Sequence, residues 1–281
     1  METKQAEQPE LTEAKPEEKP KEKPKEKQPK TQEVAVTVRS LLATDAVRTR
    51  FSQVLGSRAP QFMSSILTVM GTNKTLNEVE PHSVIRAAAI AASIDLPITP
   101  GLGQAHIVPY KESGVGVAQF QIGWKGLVQL AHRTKQYKTL NATPIYEGQI
   151  VRNDPFTGEM EFKAEATSGK VIGYLFYFRL LSGFEKYTYM TVAECEKHGK
   201  RYSQTYKRGK GKWVDDFQSM ALKTVVKMGL SKWGVLSVDL SRAIEFDQAA
   251  VKDDGTPEYI DAEKVKDEEP IKEPKRTDGR K

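Results

Sequence analysis

Residues 101–131 read GLGQAHIVPYKESGVGVAQFQIGWKGLVQLA, and the periodicity of this segment decides the predicted fold. Apolar residues recur with strand-like spacing from Gln104 to Tyr110 and again from Val115 to Ile122, which predicts two strands. Ser113-Gly114 predicts the turn between them. After Gly123 the apolar spacing changes to that of an amphipathic helix, so we predict a hairpin followed directly by a helix.

The second strand and the helix are each predicted to have one packed face and one polar face. Strand side chains alternate, so Gln119 and Gln121 share the polar face, while Phe120 points to the packed one. The buried stripe of the helix is predicted to consist of Leu127, Leu130, Ala131 and Thr134. Backbone amides, the cation of Lys125 and the ring of Trp124 would then lie beside one groove.

The two ends of the chain have compositions that predict disorder. Residues 1–30 hold eight Lys, eight acidic residues and five Pro, with one Leu and no aromatic residue. Such a segment cannot bury enough apolar area to offset its chain entropy. Residues 251–281, with eight basic and ten acidic residues, have a similar composition. We therefore predict disordered tails at 1–33 and 251–281, on either side of a single domain at 34–250.

Within the domain, helix signals come first and strand signals follow. Thr44 predicts a helix start and Gly56 its end, while Pro60 and Pro81 begin two further helices. We divide the domain into a helical block at 34–97, a sheet with the central helix at 98–190, and a basic loop with C-terminal helices at 191–250. The predicted fold class is α+β.

The charge of the predicted domain favours a polyanionic partner. Residues 31–250 hold 27 basic and 19 acidic residues, a net charge of about +8 against +6 for the whole chain. The alternative interpretation is that this charge only maintains solubility. There is no apolar run of membrane-spanning length, and the N-terminus is too charged for a signal peptide, so we predict a cytoplasmic protein.

The segment 197–212, KHGKRYSQTYKRGKGK, is the most basic part of the predicted domain. Its seven Lys or Arg residues include Arg201, Lys207 and Arg208, and Tyr202 and Tyr206 lie between them. Basic groups pair with phosphates, and aromatic rings offer any base a stacking surface. We predict a mobile nucleic-acid-binding loop here; an ordinary solvated surface loop is the alternative.

A helix from about Trp213 to Trp233 follows, and it carries Lys223 and Lys227 at i, i+4 on one face. Like charges at this spacing repel each other, and an anion lying across them would remove the repulsion.

Signals for catalysis are weak throughout the chain. The glycine pairs continue into neither GxxxxGK[ST] nor GxGxxG, so no nucleotide site is predicted. The four His residues have no paired ligand spacing, and Asp215-Asp216 is better explained as a helix start. The lone cysteine, Cys195, excludes an internal disulfide and is predicted to lie in the core.

Several motifs together resemble one family. GLGQAHIVPY, QFQIGWKGLVQLA, TPIYEG, DPFTGE and QSMALKTVVK occur in this order and resemble the RecT family of phage single-strand DNA annealing proteins. The resemblance spans about Val36 to Asp247. It implies ATP-independent annealing of complementary strands in phage recombination, on oligomeric rings or helical filaments, without enzymatic activity. It also implies a β-β-β-α core preceded by a helical block.

The resemblance further implies a set of partners and no cofactor, with magnesium acting only as a DNA counterion. The partners are single-stranded DNA, the annealed duplex intermediate, further copies of the chain, a phage exonuclease and a host single-strand-binding protein in the bacterial cytoplasm. Family motifs and the basic loop together give the predicted DNA-binding residues. These are Lys111, Gln119, Gln121, Trp124, Lys125, Arg133, Arg201, Tyr202, Tyr206, Lys207, Arg208, Lys223 and Lys227.

Two alternatives stay open at this stage. A general single-strand nucleic-acid-binding protein or RNA chaperone would share the same charge and aromatic residues. A nuclease would need metal-binding carboxylates near the groove, and Glu112 with Asp215 and Asp216 provides few of them.

Overall fold

The computed structural model describes residues 36–110, 114 and 116–259, which belong to one compact unit. The predicted tail at 1–33, most of the predicted tail at 251–281, and Lys111 lie outside these described residues. The N-terminal block is helical, as predicted. Its four helices are α1 (Val38–Ala43), α2 (Asp45–Leu55), α3 (Ala59–Thr72) and α4 (Pro81–Ser93).

The predicted helix boundaries in this block are confirmed by the cap geometry. The Thr44 hydroxyl accepts the Val47 amide at the start of α2, and Gly56 ends that helix with a φ of +56°. Pro60 lies in the first turn of α3 and Pro81 in that of α4, where a missing amide proton costs no hydrogen bond. Helix α1 was not predicted; a capping box between Thr37 and Ser40 begins it.

The described parts of the segment 101–131 fold as the predicted two strands and helix, while Ser113 of the predicted turn lies outside the described residues. The elements of this segment are β1 (Ala105–Tyr110), β2 (Val117–Ile122) and α5 (Trp124–Arg133). The two strands are antiparallel, with Ile107 opposite Phe120. The predicted stripe on α5 is confirmed at Leu127, Leu130 and Ala131, which are buried, whereas Thr134 is only partly buried.

A second antiparallel sheet follows. The next elements are β3 (Tyr137–Tyr146), β4 (Ile150–Asn153), β5 (Met160–Phe162), β6 (Val171–Leu180) and β7 (Glu185–Thr191). The sheet has the order β3-β6-β7, and β4 pairs with β5 as a separate ribbon. The DPFTGE motif forms a turn at 154–158, because the Asp154 carboxylate accepts the amides of Phe156 and Thr157. Strand β5 after it ends at Phe162, and Ala164 and Ala166 are exposed.

The C-terminal part is more regular than predicted. Its elements are α6 (Val192–Tyr202), α7 (Gln204–Lys207), α8 (Lys212–Asp215), α9 (Phe217–Trp233), α10 (Val238–Glu245), β8 (Ala249–Val251) and β9 (Pro257–Glu258). The predicted mobile loop at 197–212 is therefore largely helical. Helix α6 runs through Gly199, where a Cβ would lie 2.8 Å from the ring of Trp213.

The predicted boundary of the C-terminal tail is also wrong for residues 251–259. Strand β8 pairs with β2 and β9 pairs with β8, which gives the first sheet the order β1-β2-β8-β9. In the same region Asp253 forms an ion pair of 2.6 Å with Arg86 of α4. The return of the chain onto β2 anchors this segment to the folded unit.

Helix α9 lies at the centre of the described fold. It packs against α5 on one side and against β3, β6 and β7 on another. Helix α4 covers β2 and β8 of the first sheet. Helices and antiparallel strands occur in separate layers, which confirms the predicted α+β class. The β-β-β-α core within that class stays a prediction.

Candidate nucleic-acid interface

Two cavities meet at Met220 and Lys223 of α9, and together they form what we call the basic groove. One cavity, of 540 Å³, lies beside the start of α5, and the other, of 520 Å³, lies beside α6. Both are lined by Met220 and Lys223. The charged side chains that line the groove are Lys125, Lys212, Lys223, Lys227, Lys232, Asp216 and Asp247. Five cations against two carboxylates give the lining a net charge of +3.

The glycines of the motif QIGWKG place the first turn of α5 at this groove. The Gly123 amide donates to the Gln104 carbonyl at 2.8 Å, and a Cβ on Gly123 would lie 2.1 Å from the Gly103 oxygen. A Cβ on Gly126 would lie 2.2 Å from the Gln104 oxygen. Side chains at these two positions would therefore push α5 away from the 101–104 segment.

Trp124 and Lys125 lie at the rim of the groove, in the first turn of α5 that these glycines position. Both line the 540 Å³ cavity, and the Lys125 ammonium lies 5.9 Å from the centre of the Trp124 ring. Lys125 is exposed and Trp124 is half-buried. The rim thus presents a solvated cation and an aromatic surface side by side, the combination that single-stranded nucleic acids bind.

The floor of the same cavity carries Gln121 and His106. These two residues face each other across the β1–β2 ladder. Burial, followed by the charges of Lys223 and Lys212, lowers the pKa of His106 below its ordinary value. The imidazole is therefore uncharged at neutral pH in the free protein.

The lysine pair on α9 already has its anion inside the chain. The Asp247 carboxylate accepts the ammonium groups of Lys223 and Lys227, each at 2.7 Å, through different oxygens. It also accepts the Ile122 amide at 3.2 Å, which ties α9 to β2. Asp247 is therefore the anion that compensates the two lysines. Lys223 is buried rather than exposed, although its spacing had indicated a cation on the surface of the helix.

Burial decides the electrostatics of this cluster. Asp247 is 2% exposed and Lys223 is 7% exposed, whereas Lys227 is partly exposed. Burial lowers the pKa of Lys223, and Asp247 partly opposes that shift. Burial alone would raise the pKa of Asp247, but the two ammonium groups outweigh it and hold the pKa below the ordinary value. The cluster is an ion triad with a net charge of +1.

The wall beside α6 is aromatic. His198, Tyr202 and Trp213 line the 520 Å³ cavity, and the His198 and Tyr202 rings lie 4.7 Å apart. Burial, followed by the charges of Lys227 and Arg201, lowers the pKa of His198. Tyr206 stacks on Trp213 at 5.6 Å, so its ring faces the core rather than the groove. Of the two tyrosines predicted to stack on bases, only Tyr202 is at the groove.

The structure brings six of the predicted DNA-binding residues together at the groove and leaves the others elsewhere. The six are Gln121, Trp124, Lys125, Tyr202, Lys223 and Lys227. Arg201, Lys207 and Arg208 are exposed outside the two cavities, with the Arg201 guanidinium 5.4 Å from the Tyr202 ring. Their predicted contacts with DNA stay predictions, as does that of Lys111.

Two predicted residues have structural surroundings that the sequence did not indicate. Gln119 is 1% exposed, so its predicted place on a polar face is wrong; β8 pairs with β2 at this position. Arg133 donates hydrogen bonds to the carbonyls of Ile94 and Asp95, where it holds the end of α4.

Sequence reasoning missed several groove residues. Asp247 and His106 were not assigned to the groove because the side chains around them are distant in the sequence, and His198 was considered only as a possible metal ligand. Lys232 was assigned no role, yet it lines the 520 Å³ cavity. Lys212 was only one charge of the basic segment, and the structure places it at the other cavity, next to Asp216.

Within residues 36–110, 114 and 116–259, no group of three His, Cys, Asp or Glu side chains could hold a metal ion. The same part of the chain contains no helix long and apolar enough to cross a membrane. Cys195 is buried, as predicted, and burial raises its pKa to about 11, so the thiol is protonated and unreactive at neutral pH.

The RecT family model matches residues 60–269, about three quarters of the chain. The chain belongs to the RecT family. It is 45% identical over 241 residues to the uncharacterized protein YqaK of Bacillus subtilis, which covers 85% of this chain and 82% of that protein. It is 28% identical over 174 residues to protein RecT of Escherichia coli, which covers 57% of this chain and 61% of that one. The RecT-family match includes every charged residue of the basic groove.

Proposed function

We propose that this protein binds single-stranded DNA in the basic groove and anneals complementary strands without ATP during homologous recombination. The observation that carries the proposal is a positively charged groove with aromatic walls in a RecT-family chain. Membership of that family supports annealing over a general coating function. The proposal includes no catalytic step and no cofactor, with magnesium serving only as a counterion of DNA.

The groove offers the contacts that sequence-independent binding requires. Lys125, Lys212 and Lys232 are exposed cations that can neutralise phosphates, and such contacts do not depend on the base sequence. Trp124 and Tyr202 provide flat surfaces on which any base can stack. Specificity would come from pairing between the two strands, since the protein reads only the backbone.

We further propose that Lys223 and Lys227 contribute to DNA binding through the positive charge that they place on the floor of the groove. Because Asp247 neutralises one of their two charges, the triad adds a single positive charge to the floor. Lys227, which is partly exposed, is better placed than Lys223 to reach a phosphate.

Annealing is proposed to occur on an oligomer of this chain, either a ring or a helical filament. Each protomer then contributes modest affinity, and the assembly holds a long strand in register. The exonuclease and single-strand-binding partners, a phage origin, a duplex intermediate and a cytoplasmic location belong to the same proposal. So does a β-β-β-α core, for which the β3-β6-β7 sheet followed by α6 is our candidate.

A matched pair of triple variants tests the proposal. One variant carries Lys125→Gln, Lys212→Gln and Lys232→Gln in the groove, and the control carries Lys138→Gln, Lys163→Gln and Lys170→Gln, three exposed lysines around the second sheet. Both variants lose the same charge. Binding of labelled oligonucleotides by anisotropy, and joining of complementary strands without ATP, are measured for each.

We expect the groove variant to bind about tenfold or more weakly and to anneal slowly, whereas the control behaves like the unsubstituted protein. Equal loss in both variants would overturn the groove assignment. An unsubstituted protein that binds strands but does not speed their joining would instead favour a coating function. Cleaved oligonucleotides in the presence of magnesium would favour a nuclease.

A further inference from the structure

The last described residue, Tyr259, lies at the rim of the basic groove. Strands β8 and β9 carry the chain from Asp247 back along the first sheet, and Tyr259 then lines the 520 Å³ cavity together with Lys227 and Lys232. The Tyr259 hydroxyl donates to the carbonyl of Glu245 at the end of α10, which fixes the position of Tyr259. Whatever follows Tyr259 therefore starts beside the groove lysines.

The sequence that follows Tyr259 is acidic. Residues 261–269 read DAEKVKDEE, with five carboxylates and two lysines, a net charge of −3. Nine residues of extended chain span about 30 Å, at roughly 3.3 Å per residue, which is enough to run along a groove in a domain of this size. Residues 270–281 carry five basic and two acidic side chains, so the negative charge is confined to the part nearest Tyr259.

The groove beside Tyr259 has the complementary charge. Lys223, Lys227 and Lys232 line this cavity, and Asp247 is the one carboxylate among the described residues that line it. Both Asp247 oxygens already accept lysine ammonium groups. The exposed positive charge of Lys232 and of partly exposed Lys227 is therefore available to an external anion.

We propose that the acidic segment 261–269 docks in the basic groove of the folded unit and competes there with the phosphates of single-stranded DNA. This inference rests on the function proposed above and adds a regulatory partner for the same groove. The competition weakens binding to strands that are short or present at low concentration. A long strand that engages several protomers displaces the segments together, because its phosphates occupy many grooves at once.

A full-length variant with a neutralised segment tests this inference. It carries Asp261→Asn, Glu263→Gln, Asp267→Asn, Glu268→Gln and Glu269→Gln. The matched control neutralises five carboxylates of the N-terminal segment instead, with Glu13→Gln, Glu17→Gln, Glu18→Gln, Glu22→Gln and Glu26→Gln. Both variants change the net charge of the chain by the same amount, and the affinity of each for one labelled oligonucleotide is measured at low and high salt.

We expect the C-terminal variant to bind about fivefold more tightly than the N-terminal control at about 50 mM salt. The difference should shrink to less than about twofold at about 300 mM salt, because attraction between exposed charges is screened. In a Lys232→Gln background, neutralising the segment should give a smaller gain over the Lys232→Gln protein itself, since part of the segment's binding site is then already lost.

The outcomes separate the two proposals. Equal affinities of the C-terminal variant and the N-terminal control at low salt would overturn docking of the segment and leave DNA binding in the groove intact. Failure of the unsubstituted protein and both variants to bind oligonucleotides at low salt would overturn the proposed function itself. Weaker binding by the C-terminal variant than by the control would also overturn the inference, because it would assign the segment to DNA binding rather than to competition with it.

Discussion

The ion triad of Lys223, Asp247 and Lys227 shows what single residues contribute to this fold. Asp247 is almost fully buried and bridges two lysines and the Ile122 amide. Removing one partner of a buried ion pair leaves charge without compensation, which costs about 3–5 kcal/mol. We therefore expect Asp247→Asn to lower the free energy of unfolding by about 3 kcal/mol at pH 7 in urea denaturation.

The same variant has a signature in its pH dependence. The folded-state pKa of Asp247 is lower than the ordinary 3.8. The ionised carboxylate therefore adds to the free energy of unfolding above pH 3.8, and this stabilisation is lost as the pH falls through the folded-state pKa. The difference between the unsubstituted protein and Asp247→Asn should therefore narrow below about pH 4. Asp253→Asn is the control: its exposed ion pair with Arg86 should contribute less than about 1 kcal/mol. Equal stability of the two variants at pH 7 would contradict the structural role of Asp247.

At the residue scale, the sequence identified the lysine pair but not its partner. The i, i+4 spacing of Lys223 and Lys227 is a local pattern, and it predicted that an anion compensates them. Asp247 lies twenty residues beyond Lys227 along the chain and reaches it only through the packing of α10 and β8. The predicted exposure of Gln119 is wrong for a similar reason, because strand alternation assigns side chains to a face but does not show whether distant parts of the chain cover that face. Tertiary partners of this kind have no periodic signal.

At the scale of elements, the junction between the hairpin and α5 depends on close backbone approach. A Cβ on Gly126 would lie 2.2 Å from the Gln104 carbonyl oxygen, a backbone atom that cannot move without disturbing the 101–104 segment. Forced overpacking costs about 1–3 kcal/mol or more. We expect Gly126→Ala to destabilise the protein by about 3 kcal/mol and to weaken strand binding, as measured by thermal unfolding and anisotropy.

Gly71→Ala is the matched control for this substitution. Gly71 also lies in a helix, but a Cβ there would meet no atom within 4 Å. Alanine in an open helical position stabilises by up to about 1 kcal/mol, through lower entropy of the unfolded chain. A loss of stability in Gly71→Ala similar to that in Gly126→Ala would show that the close approach to Gln104 is not the cause.

Elements with strong local signals could be predicted from the sequence. Very short strands, and helices that depend on tertiary packing, could not. The hairpin, α5, the helices α2 and α4, and the β6–β7 hairpin all carry periodicity together with a boundary signal: a turn, the Thr44 cap of α2 or the first-turn Pro81 of α4. Strands β8 and β9 are three and two residues long, too short for a period to be visible. The segment 197–212 was predicted as a loop from its charge and glycines, but packing of Trp213 on α6 makes most of it helical.

At the scale of the whole molecule, the groove assembles its exposed and partly exposed cations from three helices. Lys125 comes from α5, Lys212 from α8, and Lys227 and Lys232 from α9, while Tyr259 lines the cavity beside α6. Family motifs indicated two of these cations in advance: Lys125 lies in the segment QIGWKG and Lys227 in MALKTVVK. The convergence itself follows from the sheet order and the packing of α9, which no local pattern contains.

The proposed phosphate contacts have a measurable consequence for DNA binding. Each phosphate neutralised on binding contributes about one unit to the slope of log affinity against log salt concentration. We expect Lys125→Gln to reduce the magnitude of that slope by about one unit for oligonucleotides of any sequence. Lys170→Gln, an exposed lysine before β6, should leave the slope unchanged. A lower affinity in Lys125→Gln with an unaltered slope would indicate lost packing on Trp124 rather than a lost phosphate contact.

Strand binding should also take up protons, because His106 and His198 stand on either side of the triad with pKa values lowered by burial and by neighbouring cations. Phosphates placed in the groove would offset the charges of Lys212, Lys223 and Lys227 and raise both pKa values. A group whose pKa is higher in the complex favours binding as pH falls. We therefore expect oligonucleotide affinity to rise as the pH falls from about 8 to about 6. In the double variant His106→Gln, His198→Gln this rise should disappear while binding at pH 8 persists, and an unchanged pH dependence in that variant would assign the proton uptake to other groups.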